Sequence, residues 1–164
     1  MAEEIVFRGF AAVDYWKCSA TPLTYIGIRR YVWDMKELVQ TAKAFADPSR
    51  VRILMALVKR ELCVCELCDA LGVTQSTLST HLQVIRSAGL VSARKDGKWM
   101  YYAIAPGAER FVRGWFHSFS GSLKRDATLR EDAKKLNRRL SLRDNGACCV
   151  GFGGNKGSCK GAAK

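Results

Sequence analysis

Three cysteines, Cys63, Cys65 and Cys68, fall within six residues in the stretch Glu61-Leu62-Cys63-Val64-Cys65-Glu66-Leu67-Cys68. One buried cysteine serves as a small hydrophobe, but three at this density exceed any packing need. They point instead to a soft-metal or redox centre, because thiolate sulfur is the soft donor among protein side chains. A second trio, Cys148, Cys149 and Cys159, lies near the C-terminus, and Cys18 stands alone. A Cys-x-x-Cys redox pair at Cys65 and Cys68 is the competing reading, but it lacks the βαβ setting such a motif needs. Residues 1–8 carry no basic segment followed by an apolar one, so no secretory leader is expected. No apolar run approaches the roughly 18–20 residues needed to span a bilayer. A cytoplasmic protein with reduced thiols is therefore expected. With His81 and His117 as the whole histidine complement, no acid–base or nucleophile constellation stands out, and no enzyme is expected.

Apolar spacing predicts a helix over 62–71, with Val64, Leu67 and Leu71 inward. On that helix Cys65 and Cys68 share a face. Cys63 and Cys65, two apart, lie about 200° around the axis and point away from each other. One small ion could then collect all three sulfurs only by unwinding the helix start. Such a ligand favours one of two conformations, which is the ingredient of a switch.

The elements around the cluster suggest what the switch controls. Met35, Leu38, Val39, Ala42, Phe45 and Ala46 recur at helical spacing. Met35 is also an alternative start, which leaves residues 1–34 as an extension of open status. Asp47-Pro48 marks a second helix start, with Ile53, Leu54, Leu57 and Val58 inward. After Gly72-Val73, Thr74 is expected to cap a helix running to about Ala88, with Leu78, Leu82 and Ile85 inward and Gly89 ending it. Residues 90–94 and 99–104 are β-prone and flank a turn at Asp96-Gly97, the signature of a hairpin. Pro106 opens an aromatic helix with Phe111, Val112, Trp115, Phe116 and Phe119, followed by basic, leucine-spaced sequence to Arg143 and a glycine-rich tail expected to be flexible.

Two helices joined by a short glycine-containing turn and followed by a hairpin have the order of a winged helix-turn-helix. The expected fold is mainly α with a β-hairpin wing, and dimeric. Gln75, Ser76, Ser79 and Thr80 are expected to face the major groove, and Arg94, Lys95 and Lys98 to meet phosphates from the wing. His81 is divided between a phosphate contact and local packing. The formal net charge of +12 suits double-stranded DNA as partner. The aromatic helix and the first helix carry more apolar surface than so small a core covers, so a homodimer interface is expected there.

From about Met35 to Ile104 the sequence resembles the ArsR/SmtB family of metal-sensing repressors. The resemblance rests on Ala46-Asp47-Pro48-Ser49-Arg50, on Glu61-Leu62-Cys63-Val64-Cys65, on the run Thr74-Gln75-Ser76-Thr77-Leu78-Ser79-Thr80-His81-Leu82, and on Gly97-Lys98-Trp99-Met100-Tyr101-Tyr102. The Cys-Val-Cys pattern with a third cysteine three residues on resembles the arsenite- and antimonite-responsive branch. The resemblance implies a homodimeric repressor of a detoxification operon, with Cys63, Cys65 and Cys68 as inducer ligands. Three sulfurs suit trivalent arsenic, whereas zinc normally takes four ligands. Cys148, Cys149 or Cys159 could supply a fourth if the tail folds back. A repressor sensing zinc, cadmium or lead is thus the alternative within the class, and a thiol redox protein using Cys65 and Cys68 is the alternative outside it. The tail trio is a candidate second site, or part of one site drawing on both clusters, and is expected to modulate affinity without governing release. The expected organisation is an N-terminal extension over 1–34, a winged helix-turn-helix domain for DNA binding and dimerisation over 35–120, and a basic helical segment with a Gly/Cys-rich tail over 121–164.

Overall fold

The computed structural model describes residues 35–143 together with Cys148 and Gly151. The expectations for residues 1–34, Cys149 and Cys159 lie outside the described residues. Within them the chain runs α1 (Met35–Phe45), α2 (Pro48–Leu57), β1 (Leu62–Cys63), α3 (Val64–Leu71), α4 (Gln75–Ser87), β2 (Val91–Asp96), β3 (Trp99–Ile104), α5 (Glu109–Ser118), α6 (Ser120–Arg125) and α7 (Ala127–Leu140). The three strands form one antiparallel sheet in the order β1-β3-β2. Among the described residues, no helix is long and apolar enough to cross a membrane.

Local chemistry explains most boundaries. Asp47 caps α2, its carboxylate accepting from the Arg50 amide at 3.0 Å, and Pro48 occupies the first turn, where its missing N–H costs nothing. Thr74 caps α4 by accepting from the Thr77 amide. Gly72 ends α3 at φ +66°, a left-handed conformation that glycine adopts without strain. The core joins Ile53, Leu54 and Leu57 of α2, Leu67 and Leu71 of α3, Leu78, Leu82 and Ile85 of α4, and Val112 and Phe116 of α5. Leu123, Leu136 and Leu140, beyond the compact unit expected over 35–120, pack against the same core.

Three local readings are corrected. The helix expected from residue 62 begins at Val64, because Leu62 and Cys63 pair as a short strand with Tyr102 and Tyr101. The hairpin turn shifts by one residue: Asp96 pairs with Trp99, so the two-residue loop is Gly97-Lys98, with Gly97 at φ +55°. The aromatic helix begins at Glu109 rather than at Pro106.

Candidate thiol centre and nucleic-acid interface

The two-residue strand β1 determines what the cysteines can do. Cys63 has extended backbone (φ −81°, ψ 163°) and is the N-cap of α3, not a helical residue. Its amide donates to Glu66 Oε2 at 2.8 Å, and the Glu66 amide returns a bond to Cys63 Sγ at 3.4 Å. This is a capping box with a thiol where serine or threonine is usual. The expectation that Cys63 and Cys65 point apart rests on both lying in one regular helix, and Cys63 lies outside it. With Cys63 off the helix, it shares one buried cluster with Cys65 while the helix remains intact. Cys63, Cys65, Tyr101 and Cys148 form one buried cluster, with Trp99 packed on it. Cys68, one turn on, belongs instead to the main apolar core.

The glycine-rich tail is expected to be flexible, with a fold back onto the first cluster as the open alternative, and Cys148 is buried. Its amide donates to Tyr101 Oη at 3.0 Å, and its Sγ accepts from Arg139 Nη2 at 3.8 Å. The ligand atoms of Cys63, Glu66 and Cys148 all lie within 4.8 Å of one another.

Arginines of α7 and the segment after it fasten this arrangement. Arg143 grips the wholly buried Glu66 through Nε (2.7 Å) and Nη2 (2.8 Å) and also donates to the Glu61 carbonyl at 2.9 Å. Arg139 Nε meets Asp69 at 2.7 Å. Arg52 of α2 forks onto Asp132 of α7 at 2.6 and 2.7 Å and reaches the Leu71 carbonyl at 2.7 Å. Planar guanidinium–carboxylate forks of this kind fix geometry as well as charge. Asp69, Glu66, Arg139 and Arg143 were not singled out in the sequence. The i,i+4 spacing of the two arginines was the available signal.

The electrostatics follow from burial and these partners. A hydrogen bond to Cys148, reinforced by burial, pushes the Cys63 thiol far up. Burial raises Cys65, and it pushes Cys68 up to about 11. For Glu66, burial acts upward, but the Arg143 guanidinium and the Cys63 amide outweigh it and hold the carboxyl below its ordinary value. The pocket therefore presents protonated sulfur beside a carboxylate already saturated by arginine. It suits a thiophilic ligand better than a hard, oxygen-seeking cation.

The opposite face is open. Gln75, Ser76, Ser79 and Thr80 are exposed on α4, while Leu78, Leu82 and Ile85 point inward, as the spacing required. Lys95 and Lys98 are exposed on the wing. Arg94 is engaged: it pairs with Glu61 and Asp96, each at 2.9 Å, and stacks on the Tyr101 ring. His81 sits 3.7 Å from Asp47 and is mostly covered, which favours local pairing.

Residues 47–93 match the family described as bacterial regulatory protein, arsR family. The chain is similar to a transcriptional repressor SmtB homolog of Synechocystis (41% identity over 70 residues, covering 43% of this chain and 53% of the relative). It is also similar to the arsenical resistance operon repressor of Escherichia coli (44% identity over 69 residues, covering 42% and 59%). An HTH-type transcriptional regulator of Methanocaldococcus jannaschii is 46% identical over 63 residues, covering 38% of this chain and 71% of that protein. The match thus spans little more than half the length of the first two relatives. All three bear the names of transcriptional regulators, not of enzymes. Among solved structures, the homodimeric winged helix-turn-helix DNA-binding domain of a possible ArsR-family regulator from Mycobacterium bovis aligns with TM-score 0.50 at 30% identity, covering 56% of this chain and 86% of that one. The capped α2, the α3–turn–α4 pair and the β2–β3 wing are a winged helix-turn-helix, and the chain belongs to the ArsR family.

Proposed function

We propose that this protein is a dimeric transcriptional repressor that holds the operator of an arsenic-resistance operon and releases it when arsenite or antimonite binds its cysteine sulfurs. The observation that carries this reading is the position of the thiol cluster between the two DNA-facing elements. Cys63 pairs through its backbone with β3 of the wing, and α3 leads through residues 72–74 into α4. A ligand that draws sulfurs together at this junction acts on the wing and on α4 at once. The coupling needs no unwinding of α3, since Cys63 already stands outside it.

On DNA, Gln75, Ser76, Ser79 and Thr80 supply the groove contacts, and Lys95 and Lys98 the phosphate contacts. The dimer forms through α1 and α5. Met35, Leu38 and Val39 of α1, together with Trp115 and the adjoining Phe119 at the end of α5, are large apolar side chains left exposed in the single chain. Phe45 of α1 stacks 4.6 Å from Trp115, and Trp115 lies 5.5 Å from Phe119, which makes the aromatic surface continuous. The Mycobacterium bovis domain is described as homodimeric, which supports a dimer.

The test uses a fluorescent duplex that the full chain recovers from a randomised pool, titrated in the complex with arsenite, antimonite, cadmium and zinc under reducing conditions. Release by arsenite and antimonite is expected. Release by cadmium or zinc alone would establish the divalent-metal alternative, and release only on thiol oxidation would establish the redox one.

A further inference from the structure

The resemblance to the arsenite-responsive branch implies Cys68 as the third sulfur. The packing around the cluster assigns that position differently. We propose that the inducer site is a three-sulfur site formed by Cys63, Cys65 and Cys148, with Cys68 outside it. This rests on the reading above only in that a thiophilic ligand of trivalent, three-coordinate chemistry binds the cluster.

Four observations converge on this set. Cys63 and Cys65 share one buried cluster with Cys148, whereas Cys68 packs in the main core. Cys148 is held there from both ends, by its amide on Tyr101 and by Arg139 on its sulfur. The chain leading to it is anchored by Arg143 on Glu66 and Glu61 and by Arg139 on Asp69. Finally, the nearby carboxylate is not a vacant ligand: Glu66 Oε1 accepts from Arg143, and Oε2 accepts from Arg143 and from the Cys63 amide. The Cys63 and Cys148 sulfurs already lie within 4.8 Å of each other with Glu66 as the third member of that group, so a soft ligand completes a three-sulfur set by drawing in Cys65 from the same buried cluster in place of the arginine-held carboxylate.

The chemistry closes without a redox partner. Arsenous acid, As(OH)3, condenses with three thiols. Three As–S bonds form and three As–O bonds break, each S–H proton leaves with a hydroxide as water, and arsenic stays trivalent. Because Cys148 arrives from a different part of the chain than Cys63 and Cys65, its bond to the ligand ties the C-terminal segment to β1 and the start of α3. Tyr101, which accepts from the Cys148 amide, pairs with Cys63 in the sheet and lies under the Arg94 guanidinium. The third sulfur is thus the one coupled most directly to the wing.

The experiment compares the full chain with its Cys148→Ser, Cys148→Ala, Cys68→Ser and Cys149→Ser/Cys159→Ser variants. It measures bound arsenic per protomer in arsenite titrations and sulfur number by X-ray absorption, and repeats the titration with cadmium as a second thiophilic probe. Circular dichroism checks each fold, and the two Cys148 variants guard against a single failure to fold. The expected result is three sulfurs in the wild type and in the Cys68 and tail-pair variants. Both Cys148 variants should show two sulfurs and lose more than about 100-fold in affinity, beyond the roughly 10–100-fold that loss of a supporting hydrogen bond costs a metal site. Loss of affinity in Cys68→Ser with retention in the Cys148 variants overturns the assignment, as does a wild type that binds neither probe. The expected binding pattern with operator DNA still held upholds the site and refutes the inducer reading, so the two fail separately.

Discussion

The two faces of this small domain are built from opposite chemistry. On one side, Gln75, Ser76, Ser79, Thr80, Lys95 and Lys98 are exposed, and their polar contacts are local: Ser76 with the Thr74 hydroxyl, Thr80 with the Ser76 carbonyl, and Lys98 over the Trp99 ring. Behind them, around α3, polar groups are committed. Glu66 is wholly buried between Arg143 and the Cys63 amide, and Arg139 joins Asp69 to the Cys148 sulfur. The difference teaches that single changes on the exposed face should have small effects on stability, whereas on the thiol face each polar group is held by partners that a single change leaves unpaired.

Breaking the committed side should give the largest effect. Arg143→Met leaves the Glu66 carboxylate buried with its cationic partner gone, and removal of one partner of a buried pair costs about 3–5 kcal/mol. Urea unfolding should show that loss as a fall in midpoint with little change in slope. A loss below about 1 kcal/mol would mean that the latch contributes orientation and little stability.

The apolar seam comes next. Trp115→Ala is expected to weaken dimerisation by about 2 kcal/mol, the scale of a buried aromatic anchor, read by sedimentation at micromolar concentration. An unchanged dimer would place the interface elsewhere. Thr74→Ala removes the hydroxyl that accepts from the Thr77 amide and should lower stability by about 1 kcal/mol, seen as a fall in the thermal midpoint.

The exposed face should respond least in stability and most in DNA binding. Lys98→Ala is expected to weaken all duplexes alike and to make the salt dependence shallower by about one unit of log–log slope. Ser79→Ala should act mainly on the selected sequence. Binding isotherms at several salt concentrations separate the two. Equal behaviour of both variants would undo the division between groove and phosphate contacts.

What was legible in the sequence was local. Asp47-Pro48, Thr74 and the Leu78, Leu82 and Ile85 spacing each act within a few residues, and each stands where it was read. What was hidden was long-range. Leu62 and Cys63 become a strand only because Tyr101 and Tyr102 arrive to pair with them, and that pairing takes Cys63 off the helix. The burial of Cys148 depends on Arg139 reaching Asp69 and Arg143 reaching Glu66, contacts 70 and 77 residues apart in the chain. No local propensity carries that information. The hairpin loop moved by a single residue for the same reason: cross-strand pairing of Asp96 with Trp99 sets the register, and the Asp-Gly signal alone does not.

The central claim is that the thiol face and the DNA face are coupled, and linkage makes the claim measurable in both directions. The measurement is the arsenite affinity of the protein free and saturated with its selected duplex, set beside the duplex affinity with and without arsenite. The two ratios should be equal, and each should exceed about tenfold, or roughly 1.4 kcal/mol of coupling. Identical arsenite affinity for the free and DNA-bound protein would contradict the account, however tightly either ligand bound.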